Sequence, residues 1–258
     1  MGEALLSRLV AQQIYSPEAI LVSDPAPQRR DFLAQKYGVK VTGENREVAA
    51  ATEVLLLAIK PQVFEKVVAE LGNYLDWETA KPLVISILAG MPLSKLEAAF
   101  PQQPVVRAMP NTPATVGAGI TAISPGQQTQ SHHLELAGRI FQAVGEVVEV
   151  SESLMDAVTG LSGSGPAYVA VMVEALADGG VAAGLPRAIA AKLALHTVLG
   201  TAQLLQESGL HPAELKDRVT SPGGTTIAGV AQLERAGFRS AAIEAVIAAA
   251  RRSKELGQ

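Results

Sequence analysis

The stretch that offers most chemistry is Val219-Thr220-Ser221-Pro222-Gly223-Gly224-Thr225-Thr226. A proline followed by two glycines bends the chain tightly, and Ile227-Ala228-Gly229-Val230 reads as the start of a helix. A bend of backbone N–H groups opening a helix attracts anions, because unpaired amides and the helix dipole both favour negative charge. The hydroxyls of Ser221, Thr225 and Thr226 add donors. The same residues also spell an ordinary Pro-Gly turn with a threonine cap, and the segment alone does not choose between the two. A second stretch, Thr159-Gly160-Leu161-Ser162-Gly163-Ser164-Gly165-Pro166-Ala167-Tyr168, is equally small and hydroxyl-rich. It too opens a helix, with Pro166 placed to begin it.

Other reactive side chains make a weaker case. His132-His133 sits in a polar stretch, His196 falls mid-helix and His211 precedes Pro212, so none suggests a metal site or a triad. Glu174 and Asp178 share a helix face at i, i+4, a spacing that also suits capping or inter-subunit hydrogen bonds. Cysteine is absent, which excludes a disulfide framework and any thiolate nucleophile or metal ligand.

The elements that must carry these stretches follow from hydrophobic pattern. Ala19–Ser23, Val39–Val41, Val54–Ile59, Leu83–Ile87, Val105–Met109, Ile120–Ile123 and Val147–Val150 are short apolar runs, and helical patterns lie between most of them. Buried strands alternating with helices predict parallel crossovers and a Rossmann-like, doubly wound parallel sheet. After Ser151 strand runs vanish, and helical patterns follow at about 153–161, 167–183, 187–207, 212–219, 225–236 and 240–256. The chain therefore divides into an α/β domain, residues 1–150, and an all-helical domain, residues 151–258. Leu193, Leu195, Val198, Leu199, Leu204 and Leu205 cover more than one helix face, which a small helical domain cannot bury alone. A second subunit is the expected cover.

Composition narrows the class. The 258 residues are 48% hydrophobic with a formal net charge of −4, which supports a substantial core and argues against a nucleic-acid footprint. No continuous apolar run approaches the roughly 20 residues of a membrane helix. The expectation is a cytoplasmic protein with no membrane and no nucleic-acid partner.

Leu161–Tyr168 and Ser221–Thr226 together resemble the pyrroline-5-carboxylate reductases, which make proline by reducing a cyclic imine with NAD(P)H. The resemblance continues through Ala58-Ile59-Lys60-Pro61, Met109-Pro110-Asn111-Thr112-Pro113, Ala175-Leu176-Ala177-Asp178-Gly179-Gly180 and Gly184-Leu185-Pro186, over nearly the whole chain. It implies an all-α dimerisation domain at the C-terminus and hydride transfer to 1-pyrroline-5-carboxylate. It places the substrate carboxylate on the amides of Gly224 and Thr225 with help from Ser221, and the Thr226 hydroxyl on the ring nitrogen as the catalytic group. A hydroxyl is a poor acid, so orientation of an already protonated substrate is the favoured role. It gives Asn45 a ribose-side contact. Ala58, Ile59, Lys60, Pro61, Ala89, Gly90, Asn111 and Thr112 line the cofactor. Arg107, Pro110 and Pro113 shape the last of these loops.

The beginning departs from the pattern. In the family a similar Met-small-Glu-Ala-Leu string follows the glycine-rich loop, so Gly2 resembles the last position of the dinucleotide fingerprint. Asp24 lies about 20 residues further on, where an acidic ribose contact is expected. Asp24 favours NADH; Ser23 with Arg29 and Arg30 favours the 2′-phosphate of NADPH; a strand-ending turn and a solvated helix face explain the same residues. The expectation is that about 10–15 residues, an apolar strand plus glycines, precede Met1 in the natural protein. Without them the cofactor should bind weakly or not at all. Two rival functions remain, a β-hydroxyacid dehydrogenase, for which Lys192 is the only central helical lysine, and a non-catalytic nucleotide-binding protein.

Overall fold

The computed structural model describes residues 1–72 and 81–257. Packing divides the chain into two units, Met1–Gly163 with Ala249–Gln258, and Ser164–Ala248.

The first unit begins with α1 (Gly2–Ala11), β1 (Leu21–Ser23), α2 (Pro27–Tyr37), β2 (Lys40–Thr42) and α3 (Asn45–Val48). It continues with β3 (Val54–Leu57), α4 (Phe64–Gly72), β4 (Leu83–Ser86), α5 (Leu93–Ala99) and β5 (Val105–Met109). β6 (Gly119–Pro125), α6 (Ser131–Gln142), β7 (Gly145–Glu149) and α7 (Met155–Val158) follow. Strand order is β3-β4-β5-β6-β7 in one sheet and β1-β2 in a second. β1 and β3 are not paired with each other.

Alternation along the strands builds two cores. Leu83, Ile85, Val106 and Ala108 pack with Leu5 and Leu9 of α1 and Ile140 and Phe141 of α6. Val84, Leu55, Leu57 and Val105 pack with Phe64 and Leu71 of α4 and with Leu96 and Phe100. Helices thus cover both faces, which is why the strands read as continuous apolar runs rather than alternating ones. One expectation is corrected: the sheet is not parallel throughout. β6 runs antiparallel to β5, because the link from Met109 to Gly119 is shorter than the dozen or so residues a parallel crossover takes.

The packing unit that opens the chain extends past Ser151 to Gly163. Glu152 accepts hydrogen bonds from Leu93 N and Arg107, and Asp156 accepts one from Ser253 Oγ. These contacts bind the first helical residues and the last turns of the chain to the α/β layers.

The second unit holds α8 (Gly165–Ala182), α9 (Arg187–Ser208), α10 (Pro212–Arg218), α11 (Thr225–Arg235) and the first part of α12 (Phe238–Leu256). α8 and α9 meet through small residues, with Ala177, Ala190 and Ala194 buried. Most large side chains remain uncovered: Ile189, Leu193, Leu195, Leu199 and Leu204 are about half exposed. By length and composition α9 is apolar enough to cross a membrane, with mean hydropathy 1.4. No continuous apolar run announces this, because Lys192, His196, Thr197 and Gln203 interrupt the apolar residues of α9.

Candidate active site

In the first unit, the residues expected to line the cofactor collect at the carboxyl ends of strands. This is where open α/β sheets bind ligands. Ser23 ends β1, Ala58-Ile59-Lys60-Pro61 follow β3, Ala89-Gly90 follow β4 and Asn111 follows β5. Ser23 Oγ donates to Asn45 Oδ1 at 2.8 Å, and Asn45 Nδ2 donates to Glu70 at 2.6 Å. Asn111 Oδ1 accepts from Ile120 N at 3.0 Å, which ties the loop after β5 to the antiparallel strand.

Gly2 opens α1 beside Ala58: a Cβ on Gly2 would lie 3.0 Å from the Ala58 Cβ. No side chain caps α1, and the amides of Gly2, Glu3 and Ala4 have no acceptor among the described residues. An uncapped helix N-terminus at the carboxyl edge of the sheet suits a pyrophosphate, so these residues fit a dinucleotide.

The carboxylate of Glu3, in that same first turn, is neutralised. Arg29 donates to it at 2.6 Å, Tyr37 at 2.7 Å and Lys36 at 3.3 Å. Chiefly through Arg29, then Tyr37, these partners hold its pKa down at about 2 instead of 4.5. The ion pairs therefore stabilise the fold fully above pH 4.5, and that contribution is lost as pH falls towards 2. Glu3→Gln should cost about 0.5–1 kcal/mol at neutral pH, a surface-pair value because all three groups are partly exposed. Urea melts should show a shallower loss of stability in the variant between pH 4.5 and 2; parallel acid legs would contradict this role for Glu3.

The same contacts remove Arg29 from the candidates for a 2′-phosphate. Asp24 is also engaged, its Oδ1 accepting from Ala26 N at 2.9 Å in a strand-ending turn. Arg30 reaches back to the carbonyls of Asp24 and Pro25 at 2.7 and 3.1 Å and lies across Gly43. Ser23, Asn45 and Arg30 remain at this corner.

In the second unit, Ser221–Thr226 forms the expected bend and α11 starts at Thr225. Gly223 has φ +67°, which favours glycine. Gly224 N donates to Ser221 O at 3.0 Å, so its amide is spent within the turn. This corrects the expectation that Gly224 offers an N–H to the substrate. The amides of Thr225, Thr226 and Ile227 have no acceptor among the described residues, and no side chain caps α11. The free donors sit one residue later than the sequence suggests.

The other glycine-rich stretch is not a simple turn. Thr159–Gly163 is a π-helical segment between α7 and α8, with Ser162 Oγ donating to Val158 O. Gly163 meets Met109, since a Cβ there would lie 2.6 Å from the Met109 Cε. Histidines serve locally: His133 Nδ1 accepts from Gln130 N, and His211 Nδ1 accepts from Ala213 N. Burial and then His132 hold the His133 pKa below its ordinary value, which suits an accepting ring. Lys192 is exposed on α9.

Sequence reasoning missed Glu152. Arg107, 5% exposed, donates to it at 2.7 Å. The signal was a lone arginine inside the apolar strand Val105-Val106-Arg107-Ala108-Met109, because a buried guanidinium requires a paired acceptor.

Comparisons with known proteins agree along the whole chain. Residues 152–256 match the family model described as pyrroline-5-carboxylate reductase dimerisation. Residues 1–90 match that described as NADP oxidoreductase coenzyme F420-dependent. A pyrroline-5-carboxylate reductase of Synechocystis sp. is 61% identical over 258 residues, covering 100% of this chain and 95% of the relative. One from Methanosarcina acetivorans is 48% identical over 259 residues, with the same coverage. Among solved structures, a pyrroline-5-carboxylate reductase from Coxiella burnetii is similar with TM-score 0.92 and 36% identity. A pyrroline carboxylate reductase from Plasmodium falciparum with NADP bound has TM-score 0.88 and 31% identity. Each structure match covers 100% of this chain and 95% of the other.

Proposed function

This chain belongs to the pyrroline-5-carboxylate reductase family, and from that premise we propose which of its residues hold the cofactor and the substrate. The enzyme reduces 1-pyrroline-5-carboxylate to L-proline with NAD(P)H, and it assembles as a homo-oligomer. The observation that carries the site assignment is the set of free amides at Thr225, Thr226 and Ile227 behind the Ser221–Gly224 turn.

The substrate carboxylate binds the amides of Thr225 and Thr226, where the α11 dipole adds to the attraction, and the Ser221 hydroxyl donates to the same group. The Thr226 Oγ accepts from the N–H of the protonated imine and fixes the ring so that one face of the C=N bond is presented. The cofactor, when bound, supplies a hydride to the imine carbon; the C=N π electrons pass to nitrogen, which keeps its proton as the amine of proline. The protein's part is orientation and charge complementarity.

Gly2 and the first turn of α1 hold the pyrophosphate, and Ala58, Ile59, Lys60, Pro61, Ala89, Gly90 and Asn111 line the cofactor. Ser23, Asn45 and Arg30 form the corner for the adenosine ribose, and NADPH is the preferred donor because the acidic candidate, Asp24, is used in a turn. Arg30→Ala should raise KM for NADPH by about tenfold, the worth of a charge-assisted hydrogen bond, and leave KM for NADH within about twofold. Equal changes for both cofactors would remove Arg30 from the phosphate corner. The C-terminal helices form the subunit contact, and the enzyme works in the cytoplasm.

The activity is tested by nicotinamide absorbance, comparing pyrroline-5-carboxylate with 3-hydroxy acids run in the oxidising direction. Turnover with the imine alone is the expected result. Turnover with hydroxy acids alone would overturn the substrate assignment.

A further inference from the structure

The Ala89–Gly90 turn is held by a segment distant in sequence. Gly90 has φ +74°, and a Cβ on it would lie 3.5 Å from the Leu256 Cβ. A Cβ on Gly257 would lie 2.7 Å from the Gly90 carbonyl oxygen, so two backbones meet at a distance that a side chain would forbid. Lys95 Nζ, on α5, donates to Gly257 O at 3.2 Å. Ser253, 4% exposed, donates Oγ to Asp156 Oδ1 at 2.7 Å and so fixes the last turns of α12 to α7. Three residues beyond Gly90, Leu93 N is held by Glu152 Oε1 at 2.9 Å. The segment from Gly90 to Leu93 is gripped at both ends, and none of these contacts belongs to the proposed chemistry.

We infer that the last turn of α12, through Gly257, is a positioning element for the cofactor: it sets the Ala89–Gly90 turn at the height at which that turn lines the dinucleotide. The inference rests on the reading that Ala89 and Gly90 touch the cofactor. A backbone-to-backbone contact of this kind is stiff, so an added methyl group displaces the turn instead of rotating aside. A shift of about 1 Å in a positioning group is enough to cost up to 10²-fold in function.

The test uses the full chain and NADPH titrated by its fluorescence. Gly257→Ala should weaken NADPH binding by about tenfold, with KM for the imine at saturating NADPH and the melting midpoint unchanged. Lys95→Met should weaken binding in the same direction, and Lys95→Arg should restore it. Gly90→Ala, which touches the turn itself, reports on the underlying reading. Weakening by Gly90→Ala with parental affinity in Gly257→Ala and Lys95→Met would overturn the positioning role. Parental affinity in all the variants would overturn the assignment of the turn to the cofactor, and the inference with it. Should Gly257→Ala lower the melting midpoint, the exposed Lys95→Met and Lys95→Arg pair decides the matter alone.

Discussion

Thr226→Ala is expected to lower turnover with pyrroline-5-carboxylate by about 10- to 100-fold, the range set by losing one hydrogen bond to a charged group at about 1.5–3 kcal/mol. Thr226 sits in the first turn of α11, half-buried. In the proposed site its backbone amide serves the carboxylate and its hydroxyl the ring nitrogen. The substitution removes only the hydroxyl, so KM should stay within a few-fold while kcat falls. Thr226→Ser should recover most of the rate. A loss well beyond about 10²-fold would assign the hydroxyl to proton transfer, which contributes about 10²–10⁴-fold. Near-parental turnover in Thr226→Ala would remove Thr226 from the site.

The second large effect is on assembly. Leu193 and Leu195 lie on opposite sides of α9, yet they are 54% and 53% exposed, and Leu199 is 50% exposed. A helix left apolar on several sides is covered by another chain, and residues 152–256 match a dimerisation family. Sedimentation at micromolar concentration should show a dimer or a multiple of dimers. Leu195→Glu with Leu199→Glu should yield monomers, since a micromolar dissociation constant corresponds to about 8 kcal/mol and each buried, unpaired carboxylate costs several kcal/mol. A parental monomer, or a double variant that still dimerises, would contradict this surface. Partition of the parental chain into vesicles would show that α9 is covered by lipid instead.

Much of this fold was legible because its strands are buried on both faces. Val54–Leu57, Leu83–Ser86 and Val105–Met109 announce themselves as apolar runs, and the helices after Ser151 by their periodicity. The reversal at β6 was not legible, because Ile120–Ile123 looks the same in either direction and only the short preceding link fixes it. The Ser221–Thr226 bend forms as read, whereas the hydrogen bond from Ser23 to Asn45 joins residues 22 apart that no local pattern links. Which donors remain free depends on contacts that local patterns do not encode. The Gly224 amide closes its own turn, Arg29 is claimed by Glu3 from the chain's beginning, and Glu152 meets Arg107 from beyond β6, α6 and β7.

The central claim is that the turn before α11 holds the carboxylate of the cyclic imine while Thr226 holds its nitrogen. The most direct measurement is kcat/KM for pyrroline-5-carboxylate against 1-pyrroline, which lacks the carboxylate, in the parental chain and in Thr226→Ala. 1-Pyrroline should be poorer by about 10²-fold, the worth of a charged group on two free amides. Thr226→Ala should lower kcat/KM for both substrates by a similar factor, because the nitrogen is common to them. Equal kcat/KM for the two substrates in the parental chain would contradict the claim.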